Sequence, residues 1–104
     1  MGKSSDTTSG GTEGKTGKSF EELFAVLKQR KRERPVDSKT VEELDKGIPF
    51  IAFRIFQEAD EVWKACKNNE TREQLALEIS QVIYHLQVMM VAHDLELEDI
   101  YRVL

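Results

Sequence analysis

The chain has 104 residues, which is enough for one domain, because a single core normally takes roughly 100 to 150 residues. Its 15 Lys and Arg against 19 Asp and Glu give a net charge of -4, which argues against a general nucleic-acid binder or a binder of anionic membranes. The single cysteine, Cys66, indicates a reducing compartment. No export signal and no membrane-spanning apolar run is predicted, so we expect a cytoplasmic protein.

The N-terminal residues 1–18 are mostly Ser, Thr, Gly and Lys. They have almost no apolar side chains whose burial could offset the entropy lost on ordering, so we predict a disordered polar tail. Helical structure is predicted to begin at Ser19, which with Glu22 forms a capping box before apolar residues at helical spacing. Pro35 is predicted to end this helix. The predicted domain therefore spans residues 19–104.

The next segment is predicted to contain a short helix, because Thr40 and Glu43 have the spacing of a second capping box and Gly47 can end the helix. Pro49 suits the first turn of a long helix that runs to about residue 67. That helix has a broad apolar face, on which Cys66 is predicted to lie in the core.

Thr71 is predicted to cap another long helix, whose apolar residues repeat every three and four positions to about His93. A short closing helix should follow. No alternating strand pattern occurs, so the predicted class is all-α, with an antiparallel hairpin of two long helices flanked by short ones. The apolar faces are wider than one hairpin can cover, which predicts a homodimer that forms a helical bundle.

Two pairs of side chains with carboxylate or amide oxygens stand out on the long helices. Glu58 and Glu61 lie on one stripe with Arg54, and Glu78 and Gln81 repeat the three-residue step on the next helix. A hairpin can bring the pairs opposite each other, and Mg²⁺ takes carboxylate, water and phosphate oxygens as ligands. A magnesium site is therefore one hypothesis; the other is an ordinary solvated acidic face, since glutamates at this spacing are common on exposed helices.

Five segments in order carry a resemblance to a known family: SFEELFAVLKQRKRERP, SKTVEELDKG, FQEADEVWKA, LEISQVIYHLQVMM and LELEDIYRVL. Over residues 19–104 the chain resembles the phosphoribosyl-ATP pyrophosphohydrolases. These belong to a wider all-α group of nucleotide pyrophosphohydrolases with an ExxE and ExxD signature. The corresponding positions here are Glu58, Glu61, Glu78 and Gln81, so an amide replaces the usual Asp.

The resemblance implies magnesium-dependent hydrolysis of phosphoribosyl-ATP to phosphoribosyl-AMP and pyrophosphate, the second step of histidine biosynthesis, by a cytoplasmic homodimer. Because Gln81 brings no charge, the free enzyme should bind Mg²⁺ more weakly than a fully acidic relative. Which glutamate accepts the proton of the attacking water is left open. The implied catalytic residues are Glu58, Glu61 and Glu78, the implied metal ligands are these three and Gln81, and the implied substrate-binding residues are Arg30, Arg34, Lys46 and Arg54.

Two other functions stay open at this point. The same site could act on a free nucleoside triphosphate, or the amides Gln57 and Gln81 could mark a decayed site on a non-catalytic helical interaction module. His85, beside the core stripe of its helix, is interpreted as a hydrogen-bonding structural group more readily than as a catalyst, because an acid or base needs demonstrated geometry.

Overall fold

The computed structural model describes residues 17–104, and this part of the chain forms five α-helices and no strand. The predicted all-α class is confirmed. The predicted disordered tail falls largely on residues 1–16, which lie outside the described residues. The helices are α1 (Phe20–Glu33), α2 (Lys39–Lys46), α3 (Ile48–Lys67), α4 (Arg72–Ala92) and α5 (Leu97–Tyr101).

The start of α1 is the predicted capping box. The Glu22 amide donates to Ser19 Oγ at 3.1 Å, and the Ser19 amide donates to Glu22 Oε1 at 2.8 Å. At the other end Arg34 adopts the left-handed conformation, and its amide donates to the Arg30 carbonyl. The helix therefore ends at Glu33, before the proline that was expected to stop it.

The predicted capping box at Thr40 is wrong. Ser38 caps α2 instead, since its hydroxyl accepts the Val41 amide at 3.2 Å. Ser38 offers the same chemistry two residues earlier, so the helix starts sooner and Thr40 and Glu43 fall inside it, where both are buried. Thr40 and Glu43 form hydrogen bonds with Tyr84 and His85 of α4. The spacing of residues in the sequence does not predict such contacts between helices.

The turn between α2 and α3 depends on Gly47, which ends one helix and precedes the next with a φ of 96°. A side chain at this φ would be strained. The turn between α3 and α4 uses Asn69 in the left-handed conformation and then Thr71, whose hydroxyl accepts the Gln74 amide at 3.1 Å. These short turns fold α3 and α4 into the predicted antiparallel hairpin.

The hairpin has two unequal ends. We call residues 48–55 and 84–92 its proximal end and residues 56–83 its distal end. Helices α1 and α5 pack against the proximal end, and the main core forms there from Phe24, Leu27, Ile51, Val88, Met90, Val91 and Leu97. Within the distal end, Ala65 is the one buried hydrophobic residue. Cys66 is exposed beside it, so the prediction that Cys66 lies in the core is wrong. A shift of one position turns a helical side chain by about 100°, enough to move it from the interior to the surface.

Helix α4 is long and apolar enough to cross a membrane by length and composition, and it alone passes that test in the described part of the chain. The prediction that no such run exists is therefore corrected. The core helix of a soluble protein passes the same test, so one such helix is weak evidence. Two polar residues, His85 and Gln87, are buried on α4 and bond to other parts of the chain, as they would in a packed core.

Candidate active site

A cleft of about 650 Å³ opens between α2, α3 and α4, mostly at the proximal end, with Ser80 and Gln81 of the distal end also in its lining. Four basic side chains and two acidic ones line it, so an anionic ligand is favoured there. The remaining lining is polar or apolar, including the amide of Gln81 and the ring of Phe50. The charged lining residues are Lys18, Lys39, Lys46, Arg54, Glu42 and Glu43.

Arg54 is the most constrained cation of the cleft. Its Nη1 donates to Gln57 Oε1 at 2.6 Å, and its Nη2 donates to Glu58 Oε2 at 2.9 Å. The Arg54 side chain remains 31% exposed. The guanidinium is therefore held in place, while part of it still faces the cleft, where it can meet an anionic oxygen in the paired geometry that arginine offers.

Behind Arg54 lies a buried pair of ionisable residues. His85 Nδ1 is 2.7 Å from Glu43 Oε2, and the two residues are only 4% and 7% exposed. The other ring nitrogen, His85 Nε2, lies 3.5 Å from Arg54 Nη2, at the outer limit of a hydrogen bond. The predicted hydrogen-bonding role of His85 is confirmed, and the partners now join α2, α3 and α4.

Tyr84 and Thr40 form a second link between α2 and α4, with 2.7 Å between their hydroxyl oxygens. Burial raises the pKa of Tyr84, so its hydroxyl stays protonated. The Tyr84 ring also meets the His85 ring edge to face, with 5.0 Å between centroids. The buried polar groups behind the cleft are thus paired with one another across helices.

The predicted metal ligands lie at the distal end, and each carboxylate has a neighbour of its own. Glu58 contacts Arg54; Glu61 Oε2 lies 3.8 Å from Lys64 Nζ, and Glu78 accepts from Gln74 Nε2 at 2.7 Å. Across residues 17–104, no three or more His, Cys, Asp or Glu side chains are gathered in a way that could hold a metal ion. Of the four predicted ligands, Gln81 lines the cleft.

The predicted substrate-binding residues divide into two groups. Lys46 and Arg54 line the cleft, and Lys46 Nζ sits 4.7 Å from the centre of the Phe50 ring. Arg34 instead donates to both oxygens of Asp45, at 2.9 and 2.8 Å, and lines a separate hollow. Arg30 is exposed near the end of α1 and is also outside the cleft lining.

Several cleft residues, including Lys39, Glu42 and Glu43, were not singled out as site residues from the sequence. Together with the predicted Lys46, these three recur at three- and four-residue intervals on the eight-residue helix α2. That spacing places them on one side of the helix, a signal that could have marked α2 as a wall of the site. Lys18 had no such signal, since it precedes α1 and reaches the cleft only through the fold.

A comparison with known protein families matches residues 20–104 to the family described as phosphoribosyl-ATP pyrophosphohydrolase. The chain belongs to this family. The resemblance predicted from the five sequence segments is confirmed, and the match covers all five helices of the described fold. Phosphoribosyl-ATP pyrophosphohydrolases are hydrolases that act on acid anhydrides, in histidine biosynthesis, and are typically soluble. Membership therefore favours an enzyme over a non-catalytic interaction module.

Proposed function

We propose that the chain hydrolyses phosphoribosyl-ATP to phosphoribosyl-AMP and pyrophosphate with Mg²⁺, in the second step of histidine biosynthesis. The observation that carries this proposal is the contact between Arg54 and Glu58, which joins the basic cleft to the acidic residues of α3. Phosphate groups that bind the cations of the cleft would lie next to these carboxylates. A substrate with a long polyanionic chain fits this arrangement of opposite charges.

Within the cleft, Lys46 and Arg54 are the proposed contacts for phosphate oxygens. Lysine offers a compact charge, and arginine offers paired donors to two oxygens. Arg34 is held by Asp45 and would have to leave it to reach a ligand. We therefore place Arg30 and Arg34 at the periphery of the proposed substrate site.

The proposed magnesium ligands are Glu58, Glu61, Glu78 and Gln81. Their oxygen atoms are of the class that Mg²⁺ prefers, so the donor chemistry fits the ion. When bound, the ion would neutralise phosphate charge and lower the pKa of the attacking water. In the described part of the chain these carboxylates do not converge by themselves, so the proposal requires substrate phosphates to supply the remaining oxygen ligands. Glu58 would exchange Arg54 for the ion, and Arg54 would then be free to bind phosphate.

The proposed assembly is a cytoplasmic homodimer, and the distal end of the hairpin supports the dimer. Phe56 and Trp63 are 69% and 58% exposed, and an apolar groove of about 250 Å³ lies on the same end of the hairpin. Exposed apolar patches of this kind commonly mark association surfaces. The groove is lined by Ala59, Val62, Ile79, Val82 and Ile83.

The test is an assay of pyrophosphate release by the purified protein with phosphoribosyl-ATP and MgCl₂. We expect release by the wild type and a loss of at least about 100-fold in kcat for Glu58→Gln or Glu61→Gln, because each removes a charged ligand. The control is Glu73→Gln, which removes an exposed carboxylate in the first turn of α4 and should leave the rate unchanged. Absence of pyrophosphate release by the wild type would overturn the proposal.

The second candidate is a pyrophosphohydrolase of free nucleoside triphosphates, since the cations of the cleft would attract any triphosphate. Both substrates can be offered together in one reaction. Preferential consumption of phosphoribosyl-ATP supports the first candidate, and preferential consumption of ATP supports the second.

A further inference from the structure

We propose that His85 is a positioning residue, which is held by Glu43 and in turn aims the guanidinium of Arg54 into the cleft. This inference rests on the proposed function, because it assigns Arg54 to a phosphate group of the substrate. His85 is buried behind Arg54, so its role is exerted through the arginine.

The burial of the Glu43–His85 pair needs a reason. Taking an ionisable carboxylate out of water is costly, and an apolar pair of similar volume often serves stability equally well. Here the pair is almost completely buried, yet it lies directly behind a cation of the cleft. The position of the pair therefore points to a role in holding Arg54, in addition to packing.

The two contacts of the His85 ring select one tautomer of a neutral imidazole. The Glu43 carboxylate accepts a hydrogen bond, so the proton of a neutral imidazole belongs on Nδ1, 2.7 Å away. The lone pair on Nε2 then faces Arg54 Nη2, which is a donor. An imidazolium would instead point a second N–H at the guanidinium. Glu43 therefore selects the tautomer that can accept from Arg54.

The other partners of Arg54 explain why this contact matters. Gln57 and Glu58 lie one turn further along the same helix, so they hold the guanidinium only relative to α3. Among the hydrogen-bond partners described for Arg54, His85 comes from a different helix. It therefore ties the guanidinium to the opposite wall of the cleft, formed by α4 and, through Glu43, by α2. This tie remains when Glu58 turns to another partner.

Two substitutions at His85 separate positioning from a purely structural role. The shorter amide of His85→Asn places its nitrogen near Nδ1, where it can still donate to Glu43 but cannot reach Arg54. The longer amide of His85→Gln places its oxygen near Nε2, where it can accept from Arg54 but leaves Glu43 without its donor. His85→Asn should therefore preserve stability better than His85→Gln, and His85→Gln should preserve the contact with Arg54.

We expect His85→Asn to raise the KM for phosphoribosyl-ATP about tenfold, the change typical of one weakened charged contact, with kcat less affected. His85→Gln should keep a KM near the wild-type value although its melting temperature is the lower of the two. A structural role alone predicts the opposite order, because KM would then follow stability. A wild-type KM in a folded His85→Asn variant would overturn the inference.

Dependence on Arg54 can be measured with a double-mutant cycle. If His85 acts through Arg54, then His85→Asn should cause no further rise in KM once Arg54→Ala is present. If instead the rise in KM of the double variant equals the product of the two single rises, the two residues act separately, which would contradict the proposal.

A binding measurement tests the same inference without turnover. Inorganic pyrophosphate is titrated into each variant by calorimetry in the presence of MgCl₂, because Glu58 is proposed to release Arg54 when it binds the ion. We expect His85→Asn to bind it about tenfold more weakly than the wild type, and His85→Gln to bind it nearly as well. Equal binding by His85→Asn and wild type, or no binding by the wild type, would overturn the inference. Failure of the proposed reaction is recognised separately, by absent turnover in the wild type.

Discussion

The proximal and distal ends of the hairpin differ in how completely the chain itself covers them. At the proximal end, α1, α2 and α5 enclose a core, and the buried polar groups of His85 and Thr40 have partners on other helices. At the distal end, large apolar side chains such as Phe56 face solvent, and the acidic residues are not gathered. A single folded chain covers the proximal end. The distal end has exposed apolar side chains and separate carboxylates, which the proposed homodimer and the proposed magnesium ion would respectively cover and bring together.

The largest expected effect concerns the distal end. If the proposed homodimer forms through the distal end, Phe56→Glu should weaken self-association about 30-fold or more, because a charge would enter a desolvated apolar interface. The fold should persist, since Phe56 is largely exposed within one chain. Sedimentation measurements over a range of concentrations report the dissociation constant.

The matched control for Phe56→Glu is Val36→Glu, which adds the same charge to another largely exposed apolar residue, in the loop before α2. This variant should associate like the wild type. Equal association of all three proteins would show that the distal face is not the interface.

A smaller effect is expected at Gln81, which lies where the cleft meets the acidic residues. Gln81→Glu should raise the affinity of the free protein for Mg²⁺ about tenfold, because the added carboxylate would bring a further charge to the proposed magnesium site. Calorimetric titrations with and without α,β-methylene-ATP should show a strong nucleotide requirement in the wild type and a weaker one in the variant.

Asn69→Asp serves as the control for this change, since it adds the same charge in the exposed turn between α3 and α4. Mg²⁺ should bind this variant as it binds the wild type. If nucleotide leaves the magnesium affinity of the wild type unchanged, the idea that substrate phosphates complete the site is wrong.

At the proximal end, Thr40→Val should destabilise the protein by about 1–2 kcal/mol, because Tyr84 loses its hydrogen-bond partner in a partly buried place. This corresponds to a fall in melting temperature of roughly 4–8 °C for each kcal/mol. Thermal unfolding of Thr40→Val, Tyr84→Phe and the double variant provides the measurement. The double variant should lose less than the sum of the single losses; strict additivity would mean that the hydroxyls do not interact.

The smallest expected effect lies away from both the cleft and the distal face, at Asp94. A hydrogen bond from Lys31 and its charge hold the pKa of this carboxyl below its usual value. A depressed pKa contributes stability above the pH range where an unfolded Asp titrates, and this contribution is lost as the pH falls through the folded pKa. Asp94→Asn should therefore lower the melting temperature slightly at pH 7.

The difference between Asp94→Asn and the wild type should begin to shrink as the pH falls below about 4, where an unfolded Asp becomes protonated, and should disappear once the pH is below the lowered pKa of the folded carboxyl. Thermal unfolding across pH 2–7 provides the measurement, with Glu70→Gln, an exposed carboxylate at another turn, for comparison. A difference that persists unchanged at the lowest pH would rule out the charge of Asp94 as its cause.

Local signals in the sequence predicted the helices well. Ser19, Gly47 and Thr71 act at helix ends through their own side chain or backbone, so their roles depend on neighbours within a few residues. Thr40 misled the prediction because Ser38 offers an equivalent cap. Which of the two residues caps the helix depends on which starting position lets the helix bury its inner face. That cannot be decided without the positions of the other helices.

The candidate site was harder to predict for a related reason. The acidic pairs were visible because three-residue spacing is a local property of a helix, but their lack of convergence depends on the rotation and offset of α3 against α4. Lys18, Lys39 and Glu43 enter the cleft from separate parts of the chain. Cys66 was misplaced for the same reason, since one position of rotation separates it from buried Ala65.

By itself, the sequence determined the all-α class, most of the helix ends and the family, because caps, periodicity and ordered motifs are carried by neighbouring residues. Only the tertiary structure decided that His85 joins Glu43 to Arg54, and that the distal end keeps its apolar side chains in solvent. Contacts between residues some 30 to 40 positions apart depend on how whole helices pack, and that packing is a property of the entire chain.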